Sequence, residues 1–311
     1  DWEWDVMANG GNIQDAIKYA HEKGVKPMLW YNSGTSWLGP GAPGPLDRLN
    51  TKENREKEFA WLKESGVAGI KVDFFGVDGA DIINYYMDIL EDAAKYRLLI
   101  NFHGATIPRG WQRTYPHMMT VEGVYGAEWY NNKPMLTGRA AVHNTTLPFT
   151  RNVIGPMDYT PGTFSDSQHP HITSNAHELA LPVVFESALQ HMPDKPSVYD
   201  SLPDDIKKFL SGMPTVWDET RLLGGYPGVD IIIARRKGEV WYIGALNGTD
   251  DARTLNFTPA SLSAQGKTIT LFKDGADDRN FAIEKDVPLT DADRKIEVEC
   301  LPRGGFAAII F

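Results

Sequence analysis

Three carboxylates stand at positions where acid–base chemistry could be done: Asp73, Glu122 and Glu128. Asp73 ends the apolar run Gly69-Ile70-Lys71-Val72-Asp73, which stops at Phe74-Phe75-Gly76. Glu122 closes the run that begins at Met118. Glu128 follows six positions later, in a loop rich in aromatic residues, Tyr125, Trp129 and Tyr130. Cleavage of a glycosidic bond needs such a set. One carboxylate attacks the anomeric carbon or activates water, and another protonates the departing oxygen. Apolar walls raise the pKa of the acid and keep it protonated near neutrality, and aromatic faces stack on the C–H face of a pyranose. The plainer alternatives stay open at this point: Asp73 capping the next helix, and Glu122 and Glu128 as solvated loop charges. Lys71 lies two positions before Asp73 and so on the same strand face. It is expected beside Asp73, either holding it ionised as suits a nucleophile or forming a structural ion pair. His103, at a strand end, could hydrogen-bond a sugar hydroxyl. The pair His169 and His171 lacks a partner set for zinc and is expected at the surface. Gly224-Gly225 has no phosphate-loop context.

Alternating elements must position these groups. Helical spacing covers 12–23, 51–66, 81–96 and 175–191, the last interrupted near Pro182. Compact apolar runs at 25–31, 69–73, 97–104 and 118–123 read as strands, and they end in Asn32, Asp73, His103 and Glu122. Strands fed by helices make βαβ units and a parallel sheet, and in barrels of such units the chemistry sits at the C-terminal strand ends. A doubly wound sheet would announce a glycine-rich phosphate loop after its first strand, and none is present. The expected fold is therefore α/β, a (β/α)8 TIM-type barrel lacking its first strand, over residues 1–215. Asp1, Glu3 and Asp5 are expected at a strand terminus, cut off from what precedes it. From about residue 192 prolines break the pattern. Short runs at 229–235, 240–247, 268–272, 295–300 and 305–311, with hairpin signals at Lys237-Gly238 and Asp274-Gly275, give a small C-terminal β-sandwich-like domain over 216–311.

Composition narrows the function classes. A net charge of −10 over 311 residues leaves no basic surplus to neutralise phosphates, which argues against nucleic acid. No stretch approaches the roughly 20 apolar residues of a membrane helix. The one cysteine, Cys300, allows no internal disulfide and no thiolate cluster.

These segments resemble glycoside hydrolase family 97. The resemblance is carried by Gly69–Gly76, by Asn101-Phe102-His103-Gly104-Ala105, by the run from Pro108 to Pro116 and by the run from Met119 to Trp129. It implies an α-glycoside hydrolase with calcium, Glu122 among the metal ligands and further ligands upstream of this chain. It also implies a large N-terminal β-sandwich that the chain lacks, and a periplasmic or secreted setting. Inverting members carry a glutamate base directly after the strand-end histidine, where this chain has Gly104; retaining members use an aspartate at the Asp73 position. Both differences imply the retaining branch, typically α-galactosidases, with Asp73 as nucleophile and Glu128 as acid/base. Lys71, His103, Trp30, Asn32 and Trp129 are the expected substrate contacts, on an oligosaccharide with terminal α-galactose. The alternatives are an α-glucosidase or arabinopyranosidase of the same family, or a catalytically silent carbohydrate-binding fragment.

Overall fold

The structure of the protein, a computed structural model, describes residues 2–5, 12–34, 38–39, 41–166, 168–291 and 293–311, with Asn131 by its backbone alone. Asp1, one of the three acids expected at a strand end, lies outside these residues. Two compact units are present, Asp1–Val124 with Ile154–Asp158, and Tyr125–Val153 with Tyr159–Phe311.

In the first unit, helix α1 (Ile13–Glu22) starts where Asn12 Oδ1 accepts the Asp15 amide at 3.0 Å. That bond satisfies one of the amides a helix start leaves without a partner. Strand β1 (Met28–Asn32) follows. Thr51 caps α2 (Lys52–Glu64) in the same way, and β2 (Gly69–Asp73) comes next. Then α3 (Ala80–Tyr96), β3 (Leu99–Phe102), the single turn α4 (Trp111–Thr114) and β4 (Met118–Val121) complete the series. The strands form one parallel sheet in the order β1-β2-β3-β4. Both faces are buried, so the strands read as apolar runs rather than alternations. Phe59, Leu62, Tyr86, Ile89 and Leu90 from the helices pack in one core with Ile70, Val72, Ile100 and Phe102 from the strands.

Register decides where the chemistry lies. Asn32 stands opposite Asp73, and Phe102 opposite both Val72 and Val121. The ladder runs one step beyond the strands: the His103 amide bonds Val72 O at 2.8 Å, Glu122 bonds Phe102 O at 2.8 Å, and Asp158 bonds Val121 O at 3.0 Å. Val121 also bridges Met157 in parallel. Asn32, Asp73, His103, Glu122 and Asp158 thus share one rim at the carboxyl ends. Among the described residues this parallel sheet has four strands and one further parallel bridge.

Residues 2–5 form a turn and not the expected strand end. The Glu3 carboxylate accepts the Gly44 amide at 2.5 Å, and Asp5 pairs with Arg48 at 3.4 Å.

In the second unit the short helices α5 (Trp129–Asn132), α6 (Pro134–Thr137) and α7 (Ala140–Thr146) precede α8 (Asn175–Val184), α9 (Pro196–Ser201) and α10 (Asp204–Gly212). Here α8 passes through Pro182 and stops at Val184, short of His191. Its last carbonyls, Val183 O and Val184 O, are taken by the buried Arg235 guanidinium at 2.6 and 2.9 Å, which offsets the unpaired C-terminal acceptors. The helices α9 and α10 were not expected. Pro196 sits in the first turn, where its missing amide costs nothing, so proline there starts a helix instead of breaking one.

Eight strands follow: β5 (Glu219–Tyr226), β6 (Asp230–Lys237), β7 (Val240–Asn247), β8 (Arg253–Phe257), β9 (Thr268–Asp274), β10 (Phe281–Pro288), β11 (Ile296–Cys300) and β12 (Gly305–Ile310). They make an antiparallel sheet ordered β10-β9-β12-β7-β6-β5 and a separate β11-β8 pair. The strands β5, β8 and β10 escaped sequence reading: β5 and β10 bury none of their residues fully, and β8 is five residues long with only Leu255 and Phe257 buried. A register shift in β5 falls between Leu222 and Gly224; Gly225 pairs with Ile231 just beyond it, and a Cβ there would stand 2.4 Å from Asp230 O. No helix among the described residues is long and apolar enough to cross a membrane.

Candidate active site

Asp73 is buried at the end of β2, with both carboxyl oxygens held. Trp30 Nε1 donates to Oδ2 at 3.0 Å, and the Phe74 amide donates to Oδ1 at 2.7 Å. Trp30, expected as a substrate contact, is itself buried, and the one polar atom of its side chain donates to Asp73. Asn32 is fully buried; its amide shapes the following loop through Pro43 O and the Gly34 amide, both at 2.9 Å.

Gly104, at φ +51, has no room for a side chain. A Cβ there would stand 2.7 Å from Asp73 Oδ1 and 2.8 Å from the Phe74 amide nitrogen. A carboxylate at 104 and one at 73 in this geometry would compete for the same volume.

Lys71 does not pair with Asp73 as expected. Its Nζ lies 3.4 Å from Asp158 Oδ2. Lys71 and Asp73 do share a strand face, but the rim brings a deeper carboxylate within reach of the ammonium. Asp158 is the residue that sequence reasoning missed. It is 1% exposed, and its Oδ2 also faces Asn101 Nδ2 at 2.9 Å and His103 Nδ1 at 2.9 Å. As a carboxylate it accepts, which places a proton on His103 Nδ1. The signal available was weak: Met157 and Asp158 follow a proline and carry no strand-length apolar run.

Glu122 is oriented by the Gly104 amide, which bonds Oε2 at 2.6 Å; its Oε1 lies 3.2 Å from His103 Nε2. A preoriented carboxylate oxygen suits a hard cation such as calcium, whereas an imidazole nitrogen suits softer metals. Calcium takes six to eight oxygens, so Glu122 fits as one ligand of a larger set.

Glu128 belongs to the second unit, where it directly precedes α5 and is exposed. Beside it, Tyr125 and Trp129 meet edge to face at 5.0 Å. Both line a cleft of about 550 Å³ that also includes Met135, Arg139 and Val142. His171, expected at the surface, is buried, with Nδ1 2.9 Å from Thr173 O and 3.1 Å from the Arg279 guanidinium. Burial, and then Arg279, lower its pKa.

Two family models match this chain: "Glycoside hydrolase 97" over residues 3–124 and "Glycosyl-hydrolase 97 C-terminal, oligomerisation" over residues 216–311. A probable retaining alpha-galactosidase of Streptomyces bingchenggensis is 38% identical over 311 residues, covering 99% of this chain and 45% of that protein. A retaining alpha-galactosidase of Bacteroides thetaiotaomicron is 34% identical over 312 residues, 95% of this chain and 44% of that protein. The chain therefore spans about half the length of the curated relatives it matches. The crystal structure of a beta-arabinopyranosidase superposes with a TM-score of 0.91 at 31% identity, covering 99% of this chain and 49% of that one.

Proposed function

The chain belongs to glycoside hydrolase family 97, and we propose that it carries the catalytic residues of a retaining α-galactosidase acting on oligosaccharides with terminal α-galactose. Asp73 attacks the anomeric carbon through one carboxylate oxygen. The bond to the glycosidic oxygen breaks, its electron pair stays on that oxygen, and Glu128 supplies the proton. Glu128 then takes a proton from water, which displaces Asp73 and releases the sugar with net retention. The observation that carries this reading is the exclusion at Gly104: Asp73 Oδ1 fills the space a base at that position would need. Trp30 Nε1 and the Phe74 amide keep the Asp73 carboxyl aimed by donating a hydrogen bond to each of its oxygens. Lys71 and His103, both braced by Asp158, bind sugar hydroxyls, and Trp129 offers a stacking face. Calcium, held in part by Glu122, would orient hydroxyls and offset transition-state charge when bound. The four parallel strands form part of a (β/α)8 barrel that ends near residue 215, in a periplasmic or secreted protein whose N-terminal β-sandwich completes the metal site.

The test is hydrolysis of p-nitrophenyl α-galactoside followed by NMR, in the full-length enzyme with calcium, for the parent and Asp73→Ala. Early α-galactose with a dead mutant supports retention through Asp73; early β-galactose means inversion and sinks the assignment. Carboxyl groups of Asp73 and Glu128 about 5–5.5 Å apart fit retention, and about 6.5–9.5 Å fit inversion.

A second reading, an arabinopyranoside substrate, is favoured by the likeness to the beta-arabinopyranosidase structure. The two sugars differ by one exocyclic CH₂OH, so the ratio of kcat/KM on the two aryl glycosides decides between them. Binding of galactose without turnover on either would instead favour a silent carbohydrate-binding protein.

A further inference from the structure

We propose that Tyr159 is a positioning residue for Glu128, holding the turn Gly126–Tyr130 through a directional run of hydrogen bonds from Tyr130 through Tyr159 and Asn144 to His177. The inference rests on the reading of Glu128 as acid/base.

Tyr159 grips this turn at both ends. Its carbonyl accepts the Ala127 amide at 2.8 Å, and its hydroxyl lies 3.0 Å from the Tyr130 hydroxyl. Glu128 sits between these two anchors. The main-chain approach is so close that a Cβ on Gly126 would stand 2.6 Å from Tyr159 O, which explains the glycine there. Glu128 is exposed, so the placement of its carboxyl depends on how firmly this backbone is held.

Donor and acceptor roles along the run are fixed by elimination. The Tyr159 hydroxyl donates to Asn144 Oδ1 at 2.6 Å, so it accepts from Tyr130. With Oδ1 so used, Asn144 presents its amide hydrogens to His177 Nε2 at 3.1 Å. His177 Nε2 must then be bare, and Nδ1 carries its proton toward Gly304 O at 3.1 Å. Burial supports this state by pushing the His177 pKa down to about 4. Tyr130, Tyr159, Asn144 and His177 are all buried, and unmade hydrogen bonds there are expensive. Each group in the run thus has one short bond with a set direction, the other contacts of the Tyr130 hydroxyl, to Asn144 Nδ2 and Glu178 Oε1, being longer at 3.5 Å, and the turn is held by these short bonds. Glu178 Oε1 lies 3.5 Å from the Tyr130 hydroxyl, too long to compete with the Tyr159 bond for its proton.

A positioned acid matters only when the leaving oxygen needs a proton. The test therefore compares kcat/KM, in the full-length enzyme, on an alkyl α-galactoside and on an activated aryl α-galactoside whose phenolate departs unprotonated. For Tyr159→Phe the expected result is a loss of about tenfold or more on the alkyl substrate, since a misplacement near 1 Å can cost ~10²-fold, with no more than about a twofold loss on the aryl one. Equal losses on both, or no loss on either, overturn the inference, because a merely structural role would not depend on the leaving group. Tyr130→Phe removes the same bond from the other side and carries the test if Tyr159→Phe does not fold. Glu128→Gln is measured beside them. If it shows the contrast and the tyrosine variants do not, positioning fails and the acid/base reading stands; if it shows none, both fall.

Discussion

At the scale of single residues, the rim of the parallel sheet is organised by what cannot fit. Gly104 is confined by Asp73 Oδ1 at 2.7 Å and by a φ of +51. Gly104→Ala should lower stability by about 1–3 kcal/mol, from the left-handed backbone and the contact. It should also displace the Asp73 carboxyl and cut kcat/KM ~10²-fold. Urea unfolding beside steady-state kinetics checks both; an alanine variant of parental activity would mean that Asp73 does not act from this position. Asp158→Asn keeps the shape but removes the charge facing Lys71 and His103. A loss of ~10²-fold in kcat/KM is expected, larger in kcat than in KM, and a loss confined to KM would limit Asp158 to ground-state binding.

At the scale of elements, α2 and α3 are locked by a buried ion pair. Arg55 Nε lies 2.8 Å from Asp92 Oδ2, and the two side chains are 4% and 6% exposed. Burial raises the Asp92 pKa, but Lys95 and Arg55 outweigh it and hold the carboxyl low. Asp92→Ala leaves the buried Arg55 guanidinium with only the exposed Asp88, at 3.3 Å, as counter-charge and should cost about 3 kcal/mol, the low end for breaking a buried pair, read as a lower urea midpoint at an unchanged slope. The helices and strands of the first unit were legible in the sequence because their apolar spacing and caps coincide: Asn12 and Thr51 both accept a backbone amide of their helix's first turn. The strands β5 and β10 were not, since they bury none of their residues fully and carry no period to read; β8 does alternate, with Leu255 and Phe257 inward, but over only five residues.

At the scale of the whole molecule, the second unit contains a titration that bears on stability. Glu178 is completely buried, and desolvation pushes its pKa up to about 7, against the bonds it accepts from the Thr173 hydroxyl and the Thr163 amide and the field of Arg279. A raised folded-state pKa means the native state holds the proton longer than the unfolded chain. Its stabilisation is complete below the ordinary value of 4.5 and is lost as pH rises through about 7. Glu178→Gln should abolish that loss, so that the stability difference between the two proteins shifts by roughly 3 kcal/mol across this window. His177 acts in the opposite sense in both. Its depressed value of about 4 gives stability present above 6.5 and lost as pH falls through about 4. Thermal midpoints from pH 4 to pH 8 measure the two together, and parallel curves for parent and variant would remove Glu178 from the account.

The sequence by itself determined the parallel βαβ series, the polar ends of its strands, and the presence of Asp73, Glu122 and Glu128 in motifs shared with one hydrolase family. Those follow from local period, capping and residue type, which a linear chain displays directly. Only the tertiary structure decided that Lys71 serves Asp158 rather than Asp73, that Trp30 holds the carboxylate, and that Gly104 is empty because Asp73 needs its space. Each of these depends on register between strands that lie 30 to 50 positions apart or more. Register is set by the packing of the whole sheet, and no single segment carries it.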